Sequence, residues 1–177
     1  MNYTTTTLFK YVVMLAAMIT GATAAHAGSP DGLSIAAVGN ASGAPYTGAI
    51  KQFVADHHAR EVADCNQSML NVANVYFTNL PPQLTGDLAV AAVHDKAKRK
   101  RLGKLLTRFR DATLDHGFDA ALAYEVKDGK VRLYGISGDP DEKVLVSSLT
   151  LDEAQDQKKF NVAVCKAVAS LFVLAEP

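Results

Sequence analysis

The sequence has no excess of either charge, because its 18 Lys and Arg residues are matched by 18 Asp and Glu residues. Such a balance gives no general attraction to nucleic acid. Nearly half of the residues are apolar, which also excludes a disordered chain. Three catalytic patterns are missing: the Gly-x-Ser-x-Gly elbow, the phosphate loop ending in Gly-Lys-Ser/Thr, and Gly-x-Gly-x-x-Gly. The motifs therefore assign neither a cofactor nor a catalytic residue.

The amino-terminal apolar run, Tyr11–Ala25, is too short for a membrane-spanning helix, which needs roughly 20 residues. Lys10 precedes it, and Ala25-His26-Ala27 forms a small-x-small cleavage pattern before Gly28. This arrangement predicts a secretory signal peptide over residues 1–27, with an uncleaved anchor as the alternative. Without Lys10 the chain keeps 17 cations against 18 acids, a net charge of −1. We expect one soluble domain over residues 28–177, located in the periplasm or secreted.

Only two cysteines are present, Cys65 and Cys165. In an oxidising compartment an even pair favours a structural disulfide over two buried free thiols. A catalytic thiol is the weakest reading, because the carboxylate of Asp64 next to Cys65 raises a thiol pKa. In the chain-entropy model, a disulfide that closes the loop of about 100 residues between Cys65 and Cys165 stabilises the fold by up to about 4.7 kcal/mol.

The carboxyl-terminal third contains the clearest fold signal. Residues 118–126 alternate between two faces, and Asp128-Gly129 then favours a type I′ hairpin turn. This turn predicts that Val126 pairs with Val131 on a dry face and Glu125 pairs with Arg132 on a wetter face. A third strand follows over 143–149. Thr150 with Glu153 forms a capping box that predicts a final helix from Asp152 to about Leu174.

Earlier in the chain we expect a buried strand over 33–38, a helix from Thr47 with an inward stripe, and a strand over 72–77. The stripe residues are Ile50, Phe53, Val54, His57, Val62 and Cys65. Residues 87–93 fit either a strand or a helix start. Asp95 caps a helix running to about Asp115, whose inward stripe includes Leu102 and Leu106. The sequence predicts an α+β fold: a small, mostly antiparallel sheet with a three-stranded carboxyl-terminal meander, packed by about three helices, with one disulfide.

The helix after Asp95 carries eight cations within fifteen residues. From these we select Lys96, Arg99, Lys100, Arg101, Lys104 and Arg108 as the candidate partner-binding surface. Such a surface suits an acidic protein or an anionic envelope polymer. Aromatic residues are not interleaved with the cations, so a nucleic-acid stacking surface is not indicated. A solvated helix face is the alternative explanation for the cations.

One cluster has metal-ligand chemistry. His57, Glu61 and Asp64 fall at i, i+4 and i+7 and would share a helix face. The zinc motif His-Glu-x-x-His is absent, so a polar helix surface explains these residues better, and we expect no metal.

Gly117–Tyr124, the Asp-Gly turn, Val131–Leu133 and Lys143–Val146 together resemble a recurring exported module. The chain is similar there to the amino-terminal α/β domain of TolB, and to domains of outer-membrane activators of penicillin-binding proteins and of curli-type secretion lipoproteins. It departs from them in two ways: the lipid-anchor cysteine is missing, and no propeller follows as in TolB. The resemblance implies a non-catalytic docking domain and supplies no catalytic residues.

The sequence thus favours an exported, non-catalytic binding or accessory protein that docks a cell-envelope partner. A periplasmic immunity or inhibitor protein is the alternative among binding functions. A small metal-dependent hydrolase built on His57, Glu61 and Asp64 is the alternative among enzymes.

Overall fold

A five-stranded mixed sheet with helices on both faces organises the structure, a computed structural model that describes residues 33–59, 73–108 and 117–168 together with Leu171. The strands are β1 (Leu33–Gly39), β2 (Ala73–Tyr76), β3 (Ala120–Lys127), β4 (Lys130–Ser137) and β5 (Leu145–Thr150). The helices are α1 (Thr47–Ala59), α2 (Gly86–Ala92), α3 (Lys96–Arg108) and α4 (Gln157–Val168). The predicted α+β class is confirmed.

The strand order is β2-β1-β3-β4-β5. β1 pairs in parallel with both β2 and β3, whereas β3–β4 and β4–β5 are antiparallel and form the longer ladders. β3, β4 and β5 are therefore the predicted meander, and β1 joins it to the rest of the sheet. The crossovers from β1 to β2 and from β2 to β3 both join parallel strands, and they run in opposite directions along the sheet. Because such crossovers are right-handed, their helices lie on opposite faces.

Two apolar clusters lie on opposite faces of the sheet. α1 and α4 cover one face, where Ile50, Leu122 and Phe160 are fully buried. α2 and α3 cover the other, where Leu102, Leu106 and Ile136 are fully buried. The inward residues predicted for the helices at Thr47 and Asp95 are thus confirmed where they are described. Leu106 and Ile50 belong to different layers, so the fold is a helix–sheet–helix sandwich.

The hairpin between β3 and β4 has the predicted register. Val126 pairs with Val131, Tyr124 with Leu133 and Glu125 with Arg132. Asp128 and Gly129 have φ values of 54° and 67°, as a type I′ turn requires. The predicted wetter face is wet only near the turn, where Lys130 is exposed and Arg132 is half-buried. Glu125 on the same face is only 7% exposed, and farther along it α2 and α3 pack on Ala123 and Tyr134. Amphipathic alternation in one hairpin cannot show that a second helical layer lies on its polar side.

The final helix begins later than predicted. The capping box is present, since Glu153 N–H donates to Thr150 Oγ1 at 3.2 Å and Thr150 N–H donates to Glu153 Oε2 at 3.0 Å. It opens a single 3₁₀ turn over Glu153–Gln155 rather than the helix. Asp156 then caps α4 by accepting from the N–H groups of Lys158 and Lys159 at 2.9 and 3.3 Å. The segment 87–93, left undecided by its sequence, is helical: residues 87–92 lie in α2 and Val93 is its C-cap.

Cys165 lies on the inward side of α4 and is 4% exposed. Cys65 lies outside the described residues, so the disulfide stays a prediction. The signal peptide over residues 1–27, the basic residue Arg110, and the predicted ends of the helices at Asp115 and Leu174 also lie outside them.

Candidate functional site: the basic helix and the closed end of the parallel strands

α3 places its cations in two different environments. Asp95 caps the helix by accepting from the N–H groups of Ala97 and Lys98 at 2.9 and 3.1 Å. Lys96 pairs with Asp141 in the β4–β5 loop, and its ammonium holds the pKa of that carboxyl below the usual value. Lys98 Nζ lies 4.0 Å from Asp95 Oδ2. The first turn of the helix is thus neutralised by two carboxylates.

Arg99 is half-buried and joins α3 to two other segments. Its Nε and Nη2 donate to the carbonyls of Ala92 and Val93 at 3.1 and 2.9 Å, at the carboxyl end of α2. Its Nη1 donates to the carbonyls of Glu142 and Pro140 at 3.3 and 3.5 Å. A planar guanidinium suits this role because it presents several donors in a fixed geometry. Arg99 therefore has a structural function, which its sequence context did not reveal.

Four further cations of α3 point to solvent. Lys100, Arg101, Lys104 and Arg108 are exposed, and within the described residues none of them forms an ion pair with a carboxylate. Leu102, Gly103 and Leu106 lie on the buried side of the same helix. We call these four cations the α3 stripe. It concentrates positive charge on one outer face of a chain whose net charge is zero.

The other place where a ligand is expected is the carboxyl end of β1 and β3. In sheets with the order 2-1-3 the chain leaves β1 in one direction and leaves β3 in the other, which normally opens a crevice between these two strand ends. Here the loop after β1 folds back over β3: Asn40 N–H donates to the Tyr124 carbonyl at 3.2 Å, and Val126 N–H donates to Ser42 Oγ at 2.9 Å. This loop pairs with the strand end and occupies that space.

Glycines make the closure possible. A Cβ at Gly43 would meet the Tyr124 carbonyl, and a Cβ at Gly86 would meet the Gly39 carbonyl. The amino end of α2 therefore packs directly on the end of β1. Among the described residues, backbone atoms of the loop after β1 and of α2 thus occupy the carboxyl end of β1, where the connections from β1 and β3 diverge.

A buried polar pair lies beneath this closed end. Tyr134 Oη donates to Glu125 Oε1 at 2.8 Å, and Asn40 Nδ2 donates to Glu125 Oε2 at 3.4 Å. Burial, together with the bond and negative charge of Glu125, raises the pKa of Tyr134 to about 12. The pair satisfies its own hydrogen-bonding groups, so it is an interior contact that joins β3, β4 and the loop after β1.

The candidate metal ligands are not brought together by any described contact. Glu61 and Asp64 lie outside the described residues, and so does the side chain of His57. Among the described residues, no group of three or more His, Cys, Asp or Glu side chains is arranged to hold a metal ion.

One exposed feature was missed by sequence reasoning. Val146 in β5 is 59% exposed although it lies in a strand. The sequence did contain a signal for an uncharged strand that could be exposed, because residues 145–150 include no charged side chain. The position of β5 at the edge of the sheet follows only from the strand order.

Comparisons with protein-family models, with curated proteins and with solved structures found no match to this chain. Among the helices of the described residues, none combines the length and the apolar character that crossing a bilayer requires.

Proposed function

We propose that this protein is an exported, non-catalytic accessory protein that docks an acidic partner of the cell envelope through the α3 stripe. The observation that carries the proposal is the solvent-facing position of Lys100, Arg101, Lys104 and Arg108 without carboxylate partners in the described part of the chain. Lys96 and Arg99 fix the position of α3, because Lys96 pairs with Asp141 in the β4–β5 loop and Arg99 bonds to carbonyls of that loop and of α2.

Exposed cations of this kind steer and orient a partner more than they bind it. A single solvent-exposed ion pair contributes about 0–1 kcal/mol, because water and salt screen it. Four cations on one helix face create a joint potential that raises the rate of encounter with an acidic surface. The proposal therefore expects binding that weakens as salt concentration rises.

The closed end of β1 and β3 also favours a function on the surface. Ligands of doubly wound sheets bind where the strand order diverges, and backbone atoms of the loop after β1 and of α2 fill that place here. A small molecule would have to displace the pairing of Asn40 with Tyr124. A protein or polymer partner on the α3 stripe needs no such displacement.

The element order is compatible with the resemblance to TolB-like docking modules. An early strand and helix precede β3, which is rich in small residues, and two antiparallel strands and a helix follow it. We extend the proposal accordingly to a periplasmic or secreted location, with cleavage after residue 27 and a disulfide between Cys65 and Cys165.

The test is capture of partners from envelope extract with the purified protein. The variant Lys100→Glu/Arg101→Glu/Lys104→Glu should recover at least about tenfold less of the captured species, since three attractive contacts become repulsive. The matched control, Lys158→Glu/Lys159→Glu/Lys166→Glu, reverses three exposed cations on α4 and should retain capture. Equal recovery with both variants would reject the α3 stripe as the docking surface.

A further inference from the structure

Among the described strands, β5 lies at an edge of the sheet and lacks the usual protection against pairing. Natural sheets shield their edges with charged residues, prolines, bulges or very short strands. β2, the opposite edge, is only four residues long. β5 has six residues, Leu145–Thr150, with no charge and no proline, and it pairs with β4 in an unbroken register from Thr150 to Leu145.

The backbone groups available on this edge can be identified. In an antiparallel ladder, hydrogen-bonded pairs alternate with pairs whose N–H and C=O groups point away from each other. Thr150 pairs with Lys130, yet its N–H donates to Glu153 Oε2 at 3.0 Å, so Thr150 belongs to the second kind. Two and four residues earlier, Ser148 and Val146 have the same orientation, and their N–H and C=O groups point outward from the sheet.

The side chains of Val146, Ser148 and Thr150 lie on one face of the sheet. α2 and α3 cover this same face over the strands nearer the centre of the sheet. Val146, Ser148 and Thr150 pair with Tyr134, Arg132 and Lys130, and directly opposed residues share a face. Tyr134 is 1% exposed, whereas Val146 is 59% exposed, so the helical layer ends between β4 and β5. Leu151, the next residue after the strand, is 41% exposed. The strongly exposed large apolar side chains of the described residues are these two, both at this edge.

Two cationic residues of β4 lie next to this edge. Lys130 and Arg132 lie opposite the small residues Thr150 and Ser148, and pairs of this kind bring their side chains close together. An added strand would lie about 10 Å from β4, two strand spacings away. Long cationic side chains crossing Thr150 and Ser148 would meet acidic side chains on the added strand. Arg132 bonds to Asp128 at 2.7 Å through Nη2 and has further donors.

From these observations we infer that β5 accepts an extended segment of a partner protein as a sixth strand, with an apolar residue beside Val146 and acidic residues beside Ser148 and Thr150. Main-chain hydrogen bonds would supply affinity, and the alternate side chains would supply specificity. The inference deepens the proposed function, on which it rests, by giving the acidic partner an extended recognition segment.

The test uses two synthetic peptides. The first, Glu-Thr-Glu-Thr-Val-Thr-Glu-Thr-Glu, presents the same pattern in both directions, so it serves parallel and antiparallel addition; the second has Lys in place of Glu. We expect the purified protein to bind the acidic peptide at least about tenfold more tightly, as measured by fluorescence anisotropy. Amide NMR shifts should centre on Val146 and Ser148. Equal binding of both peptides, no binding, or shifts confined to α3 would overturn the inference.

Two variants test the edge itself. Ser148→Pro removes an outward N–H without removing a bond to β4 and should abolish peptide binding, whereas Ser148→Thr keeps that N–H and should bind like the parent. Lys130→Glu should reverse the preference toward the Lys peptide. Circular dichroism and thermal unfolding of all three variants report whether the fold is intact.

If Ser148→Pro leaves acidic-peptide binding unchanged, the added-strand geometry is wrong. If sedimentation shows a dimer of the parent that Ser148→Pro dissociates, the occupant is a second copy and the inference fails. Neither result alters the capture experiment on the α3 stripe, so failure here and failure of the proposed function are distinguishable.

Discussion

Tyr134 donates its phenolic hydroxyl to Glu125 across 2.8 Å, and the two residues lie on adjacent strands in the interior of the protein. They are diagonal neighbours, since Glu125 pairs directly with Arg132. The bond supplies a strong donor to a carboxylate that is only 7% exposed. It therefore contributes to the stability of the β3–β4 hairpin and of the loop after β1, which reaches the same carboxylate through Asn40.

Tyr134→Phe should lower the free energy of unfolding by about 1–3 kcal/mol, because Glu125 keeps its burial and loses its best donor. Urea unfolding followed by circular dichroism measures this change. Tyr46→Phe is the matched control. The ring of Tyr46 stacks on that of Phe160 with their centroids 6.1 Å apart, and its hydroxyl makes no hydrogen bond within the described residues. If both variants lose the same small amount, the Glu125 bond has no special weight.

Stability should fall in alkaline solution as Tyr134 ionises. Its pKa is raised from 10.0 to about 12 in the folded protein, so the folded state retains a proton that the unfolded state has lost. The stabilisation is complete below the unfolded pKa, near pH 10, and is lost as the pH rises through about 12. Unfolding free energies measured across this window should decline less steeply in Tyr134→Phe. A slope equal to that of the parent would contradict the assignment.

Gly86→Ala should destabilise the protein by about 1–3 kcal/mol, since a methyl group there collides with the backbone of Gly39 where α2 meets β1. Gly48→Ala in α1 has open space around it and should instead stabilise the protein by about 0.5–1 kcal/mol through helix propensity. Thermal unfolding of the pair measures both effects. A Gly86→Ala variant at least as stable as the parent would show that α2 and β1 are not in close contact.

Arg99→Lys should lower the free energy of unfolding by about 1–3 kcal/mol, because one ammonium cannot reach the carbonyls of both α2 and the β4–β5 loop. Arg101→Lys, two residues along the helix and exposed, should change it by less than about 0.5 kcal/mol. Denaturant unfolding compares the variants, and equal stabilities would reject the structural role of Arg99.

Denatured protein prepared without reductant should show no thiol that reacts with a thiol reagent, and reduction should release both cysteines. Reduction should also lower the thermal unfolding temperature, because the disulfide restricts the unfolded chain. Two reactive thiols before reduction would mean that Cys65 and Cys165 are unpaired. The covalent link between the chain after α1 and α4 would then have to be abandoned.

The predictions that succeeded from sequence were those with a local cause. Asp128-Gly129 set the turn and thereby the pairing of Glu125 with Arg132, and Asp95 began α3, because turn and cap geometry depend on neighbouring residues alone. The same reasoning misplaced the start of α4. Thr150 and Glu153 form a capping box that leads only to a 3₁₀ turn, and Asp156 supplies a second cap three residues later.

For the candidate site, sequence reasoning found the cations of α3 without being able to sort them. Arg99 and Lys100 are adjacent and chemically alike in charge. Arg99 is half-buried and bonds to carbonyls of α2 and the β4–β5 loop, whereas Lys100 is exposed to solvent. The exposed edge at Val146 was missed for the same reason, since an edge exists only in relation to the strands beside it.

By itself the sequence determined the hairpin turn, the cap of α3 and the inward stripes of α1 and α3, because these depend on φ preferences, short hydrogen bonds and periodicity within about ten residues. Tertiary structure alone decided that β1 joins β2 and β3 in parallel, that Glu125 is buried on the polar face of the hairpin, and that β5 is an edge among the described strands. These features depend on which distant segments exclude water from a given face, and that is a property of the assembled layers.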